Sequence, residues 1–163
     1  MGVNRGKQFE SIIKETFLAV PNISVDRVPD QMSGYAGSFN ICDFTIYKYP
    51  TLLYLECKTT YGNTFPLSRL TDNQFKGMLQ KSKIIGVQAG IILWYVDKDV
   101  TYYVPIDVVD NYKRLGIKSI RWDDPNPQII YIPGLKKRIF FKYDIKNLLK
   151  ELSMDVLGDY SFH

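Results

Sequence analysis

The stretch that most constrains the fold is residues 41–60, where two strand-like runs flank a turn signal at Tyr49-Pro50-Thr51. Side chains of a strand alternate between two faces, and an even-numbered loop pairs odd positions of the first strand with even positions of the second. Asp43 is therefore expected to share a face with Glu56 and Lys58. The sequence predicts a β-hairpin with two carboxylates and one ammonium near the ends of adjacent strands.

The opposite face of this hairpin is apolar and predicts one side of the core. It comprises Cys42, Phe44, Ile46, Leu53, Leu55 and Cys57. Both cysteines of the chain fall on this face, which favours two buried, reduced thiols over a secreted disulfide scaffold.

The polar face of the hairpin has two interpretations. Two neighbouring carboxylates repel each other, so each tends to bind a proton or a cation. A divalent ion such as Mg²⁺ accepts oxygen ligands from one or two carboxylates, together with water and substrate phosphate. Lys58 would then orient an attacking water or stabilise phosphate charge. The alternative is a solvated strand face with a cross-strand ion pair.

Length and composition narrow the class of protein. With 163 residues, 45% of them apolar and 23% charged, we expect a single domain over 1–163 with a substantial core. The net charge of +4 permits a polyanionic partner. The only histidine is the last residue, which argues against histidine-based catalysis and a histidine-containing zinc site. No apolar run approaches a membrane span and no signal peptide is evident, so we expect a cytoplasmic protein.

An amphipathic helix is predicted over residues 5–19. Its apolar stripe recurs at helical spacing and comprises Phe9, Ile12, Ile13, Thr16, Phe17 and Val20. Glu10 lies beside this stripe, and both an inward-facing and a solvent-facing position are open to it. Arg5 and Lys7 stand at the helix start, where the dipole does not favour cations, and are candidates for holding an anion.

Residues 23–28 alternate and predict a strand. The following segment, about 29–40, is rich in glycine and serine and has no periodicity, which indicates a projecting loop or short stalk. Its Tyr35 and Phe39 are suited either to stacking on bases or to packing the loop onto the body.

A second helix is predicted over 71–86, with an inner stripe that comprises Phe75, Met78, Leu79, Ser82 and Ile85. Thr71 and Gln74 match a capping box at its start. This gives Gln74 a structural role that competes with a catalytic one, and the sequence leaves the two open.

The second half of the chain predicts a strand buried on both faces at 90–96 and a hairpin partner at 100–104. Further predicted elements are a helix at 107–114, a short strand at 128–132 and a last helix at 144–152 capped by Asp144. The basic cluster Lys136, Lys137 and Arg138 is either solvated surface or a phosphate contact. This order of elements predicts an α/β domain with a mixed central sheet.

These residues resemble the PD-(D/E)XK nuclease superfamily: Glu10 on a helix, Asp43 on one strand, Glu56-Cys57-Lys58 on the next, and Gln74 on a following helix. Four further segments resemble RecU-type Holliday junction resolvases in order and spacing, over roughly residues 4–121. They are Asn4-Arg5-Gly6, Thr64-Phe65-Pro66-Leu67, Asp72-Asn73-Gln74 and Lys118-Ser119-Ile120-Arg121. The archaeal Hjc-type resolvases share the catalytic core. The resemblance implies a restriction-endonuclease-like fold, a mixed sheet flanked by helices.

The same resemblance implies a Mg²⁺-dependent endonuclease, with Mn²⁺ as a substitute, that cuts four-way junction DNA as a homodimer. Glu10, Asp43 and Glu56 would hold the metal together with the backbone carbonyl of Cys57, while Lys58 and Gln74 would position the water. The expected DNA contacts are Arg5, Lys7, Arg27, Tyr35, Thr59, Lys136 and Lys137. Val28–Asn40 would correspond to the family's projecting stalk. The alternatives are a restriction or repair nuclease acting on duplex or flapped DNA, and a junction-binding protein without catalysis.

Overall fold

The computed structural model describes residues 4–29, 40–136 and 141–154, with the backbone alone at 135, 136 and 141. The helices are α1 (Arg5–Leu18), α2 (Asp72–Ser82), α3 (Ile106–Arg114) and α4 (Lys146–Glu151), with a 3-10 turn at Leu67–Arg69. The strands are β1 (Ser24–Arg27), β2 (Phe44–Lys48), β3 (Thr51–Thr60), β4 (Thr64–Pro66), β5 (Val87–Tyr95), β6 (Val100–Pro105), β7 (Ser119–Arg121), β8 (Ile130–Tyr131), β9 (Gly134–Lys136) and β10 (Phe141–Tyr143).

Six strands form one central sheet in the order β1-β2-β3-β5-β6-β8. The central pair β3 and β5 is parallel, and every other neighbouring pair is antiparallel. Two small antiparallel pairs, β4 with β7 and β9 with β10, lie outside this sheet. The prediction of an α/β fold with a mixed central sheet flanked by helices is confirmed.

The register of the first hairpin follows the predicted parity. Thr45 pairs with Tyr54, and Lys48 pairs with Thr51 across a two-residue turn. Asp43 lies just before β2, yet its backbone continues the sheet on both sides. Its N–H donates to the Leu55 carbonyl at 3.1 Å, and its carbonyl accepts from the Val28 N–H at 2.8 Å. The backbone of Asp43 is therefore fixed between β1 and β3.

Helices cover both faces of the sheet. On one face, Phe9, Ile13 and Phe17 of α1 pack with Leu148 and Leu149 of α4 and with the apolar side of the hairpin. On the other face, Met78 of α2 and the apolar side of α3 pack on β5. Because β5 is covered from both sides, its sequence is continuously apolar rather than alternating.

The prediction that both cysteines lie on one face of the hairpin is wrong, because they pack on opposite faces of the sheet. Both are free and buried, as predicted. Cys57 packs on the α1 side, but Cys42 packs with the cluster around α2 and α3. Cys42 precedes β2, so the strand alternation does not extend to it.

Some predicted boundaries are wrong. The second helix ends at Ser82 rather than at 86, because the chain turns at Gly86, which has a φ of +85°, to enter β5. Ile85, predicted on the inner stripe, is therefore fully exposed. The last helix starts at Lys146, although the Asp144 carboxylate still accepts a hydrogen bond from the Lys146 N–H at 3.1 Å.

Two further expectations concern the predicted stalk and membrane-spanning helices. Residues 30–39 of the predicted stalk lie outside the described residues, so the stalk stays a prediction. Within 4–29, 40–136 and 141–154, no helix has the length and apolarity needed to cross a membrane.

Candidate active site

The predicted polar cluster lies where four elements meet at one end of the sheet. β3 carries Glu56 and Lys58 two residues apart, so both side chains point to the same face. Asp43 precedes the adjacent β2, Glu10 comes from α1, and Gln74 comes from the first turn of α2. Strand alternation and hairpin register thus explain the placement of Asp43, Glu56 and Lys58.

The carboxylate of Asp43 is held from two directions. Its Oδ2 accepts a hydrogen bond from the backbone N–H of Cys57 at 2.8 Å. Its Oδ1 lies 3.7 Å from Nη1 of Arg27. The first contact fixes the carboxylate to the strand that carries Glu56, and the second offsets part of its charge.

Glu56 is a buried acid, with a side chain only 5% exposed. Its Oε2 lies 3.0 Å from Nζ of Lys58 and accepts a 3.0 Å hydrogen bond from Nε2 of Gln74. Its Oε1 is buried and has no hydrogen-bond partner among the described residues. Burial and the neighbouring Asp43 charge raise the pKa of Glu56 to about 7, while Lys58 acts in the opposite direction.

Gln74 forms the predicted helix cap and also contacts Glu56, while its catalytic role stays a prediction. The capping box forms, since Oε1 of Gln74 accepts from the Thr71 N–H at 3.1 Å and the Gln74 N–H donates to the Thr71 hydroxyl at 3.1 Å. The cap fixes the side-chain amide, and its remaining nitrogen donates to Glu56. A helix cap therefore aims a donor at the buried carboxylate.

Glu10 faces inward past the edge of α1, with a side chain 22% exposed. Its Oε2 lies 3.0 Å from Nη1 of Arg27, the same nitrogen that approaches Asp43. The Arg27 guanidinium also lies 5.6 Å from the centroid of the Phe44 ring. Arg27 thus bridges two acids that the resemblance assigns to metal binding.

The acidic side chains of the cluster could serve as ligands of a divalent ion. No group of three or more metal-ligating side chains is assembled within the described ranges. Asp43 and Glu56 nevertheless fit such an ion, because Mg²⁺ needs only one or two carboxylates and completes its shell with water and substrate oxygens. The unpartnered buried Oε1 of Glu56 is the atom that most needs such a partner. Glu10 is engaged by Arg27.

The described residues that were predicted to bind DNA lie on several elements of the chain. Arg5 and Lys7 are exposed at the start of α1, where Nη1 of Arg5 donates to the Gln8 side chain. Thr59 lies in β3 directly after Lys58. The backbone of Lys136 belongs to β9, and its side chain is not described. Tyr35 and Lys137 lie outside the described residues.

Arg69 is a residue that the sequence analysis did not single out. Its Nη1 donates to the Thr59 carbonyl at 2.7 Å, and its guanidinium lies 5.2 Å from the centroid of the Phe65 ring. The only signal in the sequence was its position between the Thr64–Leu67 segment and Gln74. That position alone does not identify Arg69 as a functional residue, because arginines are common in surface loops.

The model of the family RecU, described as Recombination protein U, matches residues 4–144. The chain belongs to the RecU family. The match includes all the residues of the cluster, from Glu10 to Gln74, and continues beyond the region of the sequence resemblance into β10.

Two other comparisons accompany this assignment of the chain to the RecU family. Among solved structures, the chain is similar to Hjc from Archaeoglobus fulgidus, a Holliday junction resolvase from an archaeal hyperthermophile. The identity is 17% and the TM-score is 0.46, over 63% of this chain and 78% of Hjc. No curated protein sequence matches the chain.

Proposed function

We propose that this RecU-family chain is a metal-dependent endonuclease that resolves Holliday junctions by paired symmetric nicks. The observation that carries the proposal is the pairing of Asp43 with a buried Glu56 whose second oxygen has no hydrogen-bond partner among the described residues. A strand-end carboxylate pair of this kind is costly in a protein that only binds DNA, because burial and mutual repulsion oppose its ionisation.

The metal ligands would be the side chains of Asp43 and Glu56 and the backbone carbonyl of Cys57. Oxygen donors of this kind favour Mg²⁺, with Mn²⁺ as a substitute. A bound divalent ion would lower the pKa of a water molecule and offset charge on the phosphate. Glu10 would join the ligand set only if its pairing with Arg27 is exchanged for one with the metal.

Lys58 and Gln74 would position the attacking water and the phosphate beside Glu56. Both donate to its Oε2, which keeps that oxygen occupied and leaves Oε1 for another partner. The Lys58 ammonium provides the positive charge that a pentavalent phosphate requires as negative charge develops. Gln74, whose amide is fixed by the helix cap, would hold the attacking water in line with the phosphorus.

Arg27 would contact the DNA backbone near the cleavage site. Its Nη1 approaches both Glu10 and Asp43, and its planar guanidinium is a fork of donors whose geometry suits a phosphate. In the proposed complex, part of the guanidinium would face a phosphate, while the carboxylates of Asp43 and Glu56 would hold the metal.

The proposed substrate is four-way junction DNA, and the proposed assembly is a homodimer with two sites related by a two-fold axis. Two identical strands of a junction would then be nicked symmetrically. Arg5, Lys7, Tyr35, Thr59, Lys136 and Lys137 are the proposed further DNA contacts. Such contacts are mainly to phosphates, so binding is expected to weaken steeply with salt and to depend little on sequence.

The test compares a labelled synthetic four-way junction with a duplex of the same sequence, in Mg²⁺ and in EDTA. Paired symmetric nicks in the junction alone, and only with Mg²⁺, are the expected result. Equal cutting of both substrates would indicate a restriction or repair nuclease instead of a junction resolvase. Tight junction binding without nicks in Mg²⁺ or Mn²⁺ would indicate a binding protein without catalysis.

A further inference from the structure

Arg69 occupies a defined place beside the candidate active site. It ends the 3-10 turn Leu67–Arg69, two residues before the N-cap Thr71 of α2. Its guanidinium donates to the carbonyl of Thr59, the residue after Lys58. The Phe65 ring lies 5.2 Å from the guanidinium carbon, so the side chain is held by a cation–π contact as well. The exposed side chain is therefore positioned rather than freely rotating.

Among the residues that the structure describes, no neighbour neutralises the charge of Arg69. Within 4–29, 40–136 and 141–154, Arg27, Arg114 and Arg121 each pair with a carboxylate. Lys58, the other cation at this end of β3, pairs with Glu56. No carboxylate lies within ion-pair distance of Arg69 in the same described ranges, and its two contacts are a neutral carbonyl and a ring.

Arg69 contacts β3 a short distance from Glu56 along the strand. Thr59 follows Glu56 by three residues, which is about 10 Å along a strand. A guanidinium has five donors in a planar fork, and the Thr59 carbonyl uses only one nitrogen. Such a fork matches the geometry of a phosphate, which accepts two parallel hydrogen bonds.

We propose that Arg69 binds a phosphodiester of the cleaved DNA strand, a few nucleotides from the phosphate at the Asp43–Glu56 pair. The inference rests on the proposed nuclease function, which supplies the strand. The contact to Thr59 fixes the guanidinium relative to Lys58, so the strand is held in register with the catalytic cluster. Arg69 is thus a binding and positioning residue, which does not touch the reacting atoms.

The test uses Arg69→Gln, which removes the charge but keeps a donor for the Thr59 carbonyl. Arg114→Gln is the matched control, since Arg114 is 74% exposed on α3 and already paired with Asp110. Dissociation constants for the junction and for a duplex are measured in EDTA over a range of KCl concentrations. Loss of one phosphate contact is expected to reduce the slope of log K against log salt by about 1, and to weaken binding at 0.1 M salt by about 5–10-fold.

Arg114→Gln is expected to keep the wild-type slope and affinity. Arg69→Lys keeps the charge and is expected to recover the slope while binding remains weaker, because the planar fork is lost. If Arg69→Gln does not fold, Arg69→Lys still tests the inference. A folded lysine variant whose slope of log K against log salt is lower than that of wild type by about 1 would contradict a phosphate contact made by charge. A folded Arg69→Gln protein with lower thermal stability but an unchanged slope would reduce Arg69 to a structural clamp and overturn the inference.

This experiment separates the inference from the proposed function. If the wild type binds DNA and the slope falls in Arg69→Gln, the phosphate contact holds even when no junction is cut. If junctions are cut but the slope does not change, the function holds and the role of Arg69 is rejected. If the wild-type protein binds neither the junction nor the duplex, both the proposed function and the role of Arg69 are rejected.

Discussion

The carboxylate of Asp43 accepts a 2.8 Å hydrogen bond from the backbone N–H of Cys57, the residue between Glu56 and Lys58. This contact joins a side chain just before β2 to the backbone of β3. It holds one acid beside the buried carboxylate of Glu56, and the repulsion between the two contributes to the raised pKa of Glu56. A proton or a cation is needed to relieve that repulsion.

Replacing Glu56 with glutamine should change the pH dependence of stability. The pKa of Glu56 is raised in the folded protein from its ordinary value of 4.5 to about 7, so ionisation costs stability as pH rises through this window. Glu56→Gln imitates the protonated acid. Without metal, its melting temperature relative to wild type is expected to be higher at pH 8 than at pH 5, by about 2–4 °C for each kcal/mol of relieved repulsion.

The control for this prediction is the same pair of proteins with Mg²⁺ at pH 8. A ligand that binds only the folded state stabilises it, so Mg²⁺ should raise the melting temperature of wild type more than that of Glu56→Gln. A difference between the two proteins in EDTA that stays constant from pH 5 to pH 8 would contradict the raised pKa.

The helix cap of Gln74 and its proposed catalytic role can be separated with a neighbouring residue. Thr71→Ala removes the hydroxyl cap and is expected to cost about 1 kcal/mol of stability with a small effect on cleavage. Gln74→Leu removes the cap partner and also the donor to Glu56, so it should lower the cleavage rate by about 10–100-fold. Denaturant unfolding and single-turnover cleavage measure the two effects. Equal cleavage losses in both variants would mean that Gln74 acts only through the helix cap.

Much of the candidate site followed from the sequence because its residues sit on regular elements. Strand alternation and hairpin parity placed Asp43, Glu56 and Lys58 on one face, and the capping box at Gln74 formed as expected. Proximity across the chain was harder to predict. The bridge from Arg27 to both Glu10 and Asp43 depends on β1 pairing with β2, and no periodic pattern specifies side-chain contacts of that kind.

The departures from prediction also have local causes. Cys42 and Ile85 were assigned by extending a period beyond the end of its element, where the backbone no longer obeys it. The position of Arg69 depends on a 3-10 turn between β4 and α2 and on a carbonyl at the end of β3. Short turns of this type leave little periodic signal in a sequence.

Replacing Arg27 with methionine should strengthen metal binding while weakening catalysis. The guanidinium lies 3.0 Å from Glu10 and 3.7 Å from Asp43, so its charge competes with a metal cation for the same oxygens. Its removal is expected to tighten Mn²⁺ binding by about 3–10-fold, equivalent to ~1 kcal/mol at a partly exposed site. Calorimetric titration with Mn²⁺ measures this, and Arg114→Met, which removes an arginine paired on α3, is the matched control. Weaker Mn²⁺ binding in a folded Arg27→Met protein would show that Arg27 organises the ligands instead of competing for them.

The most direct test of the central claim is cleavage of a labelled four-way junction by wild type and Asp43→Asn, side by side in Mg²⁺ and in EDTA, with binding measured on the same samples in EDTA. Asparagine keeps the shape of Asp43 and removes its charge. We expect paired nicks by wild type with Mg²⁺ alone, a loss of about 100-fold or more in Asp43→Asn, and nearly equal junction binding by both. Cleavage by Asp43→Asn at the wild-type rate, or cleavage by wild type in EDTA, would contradict a metal-dependent nuclease centred on Asp43 and Glu56.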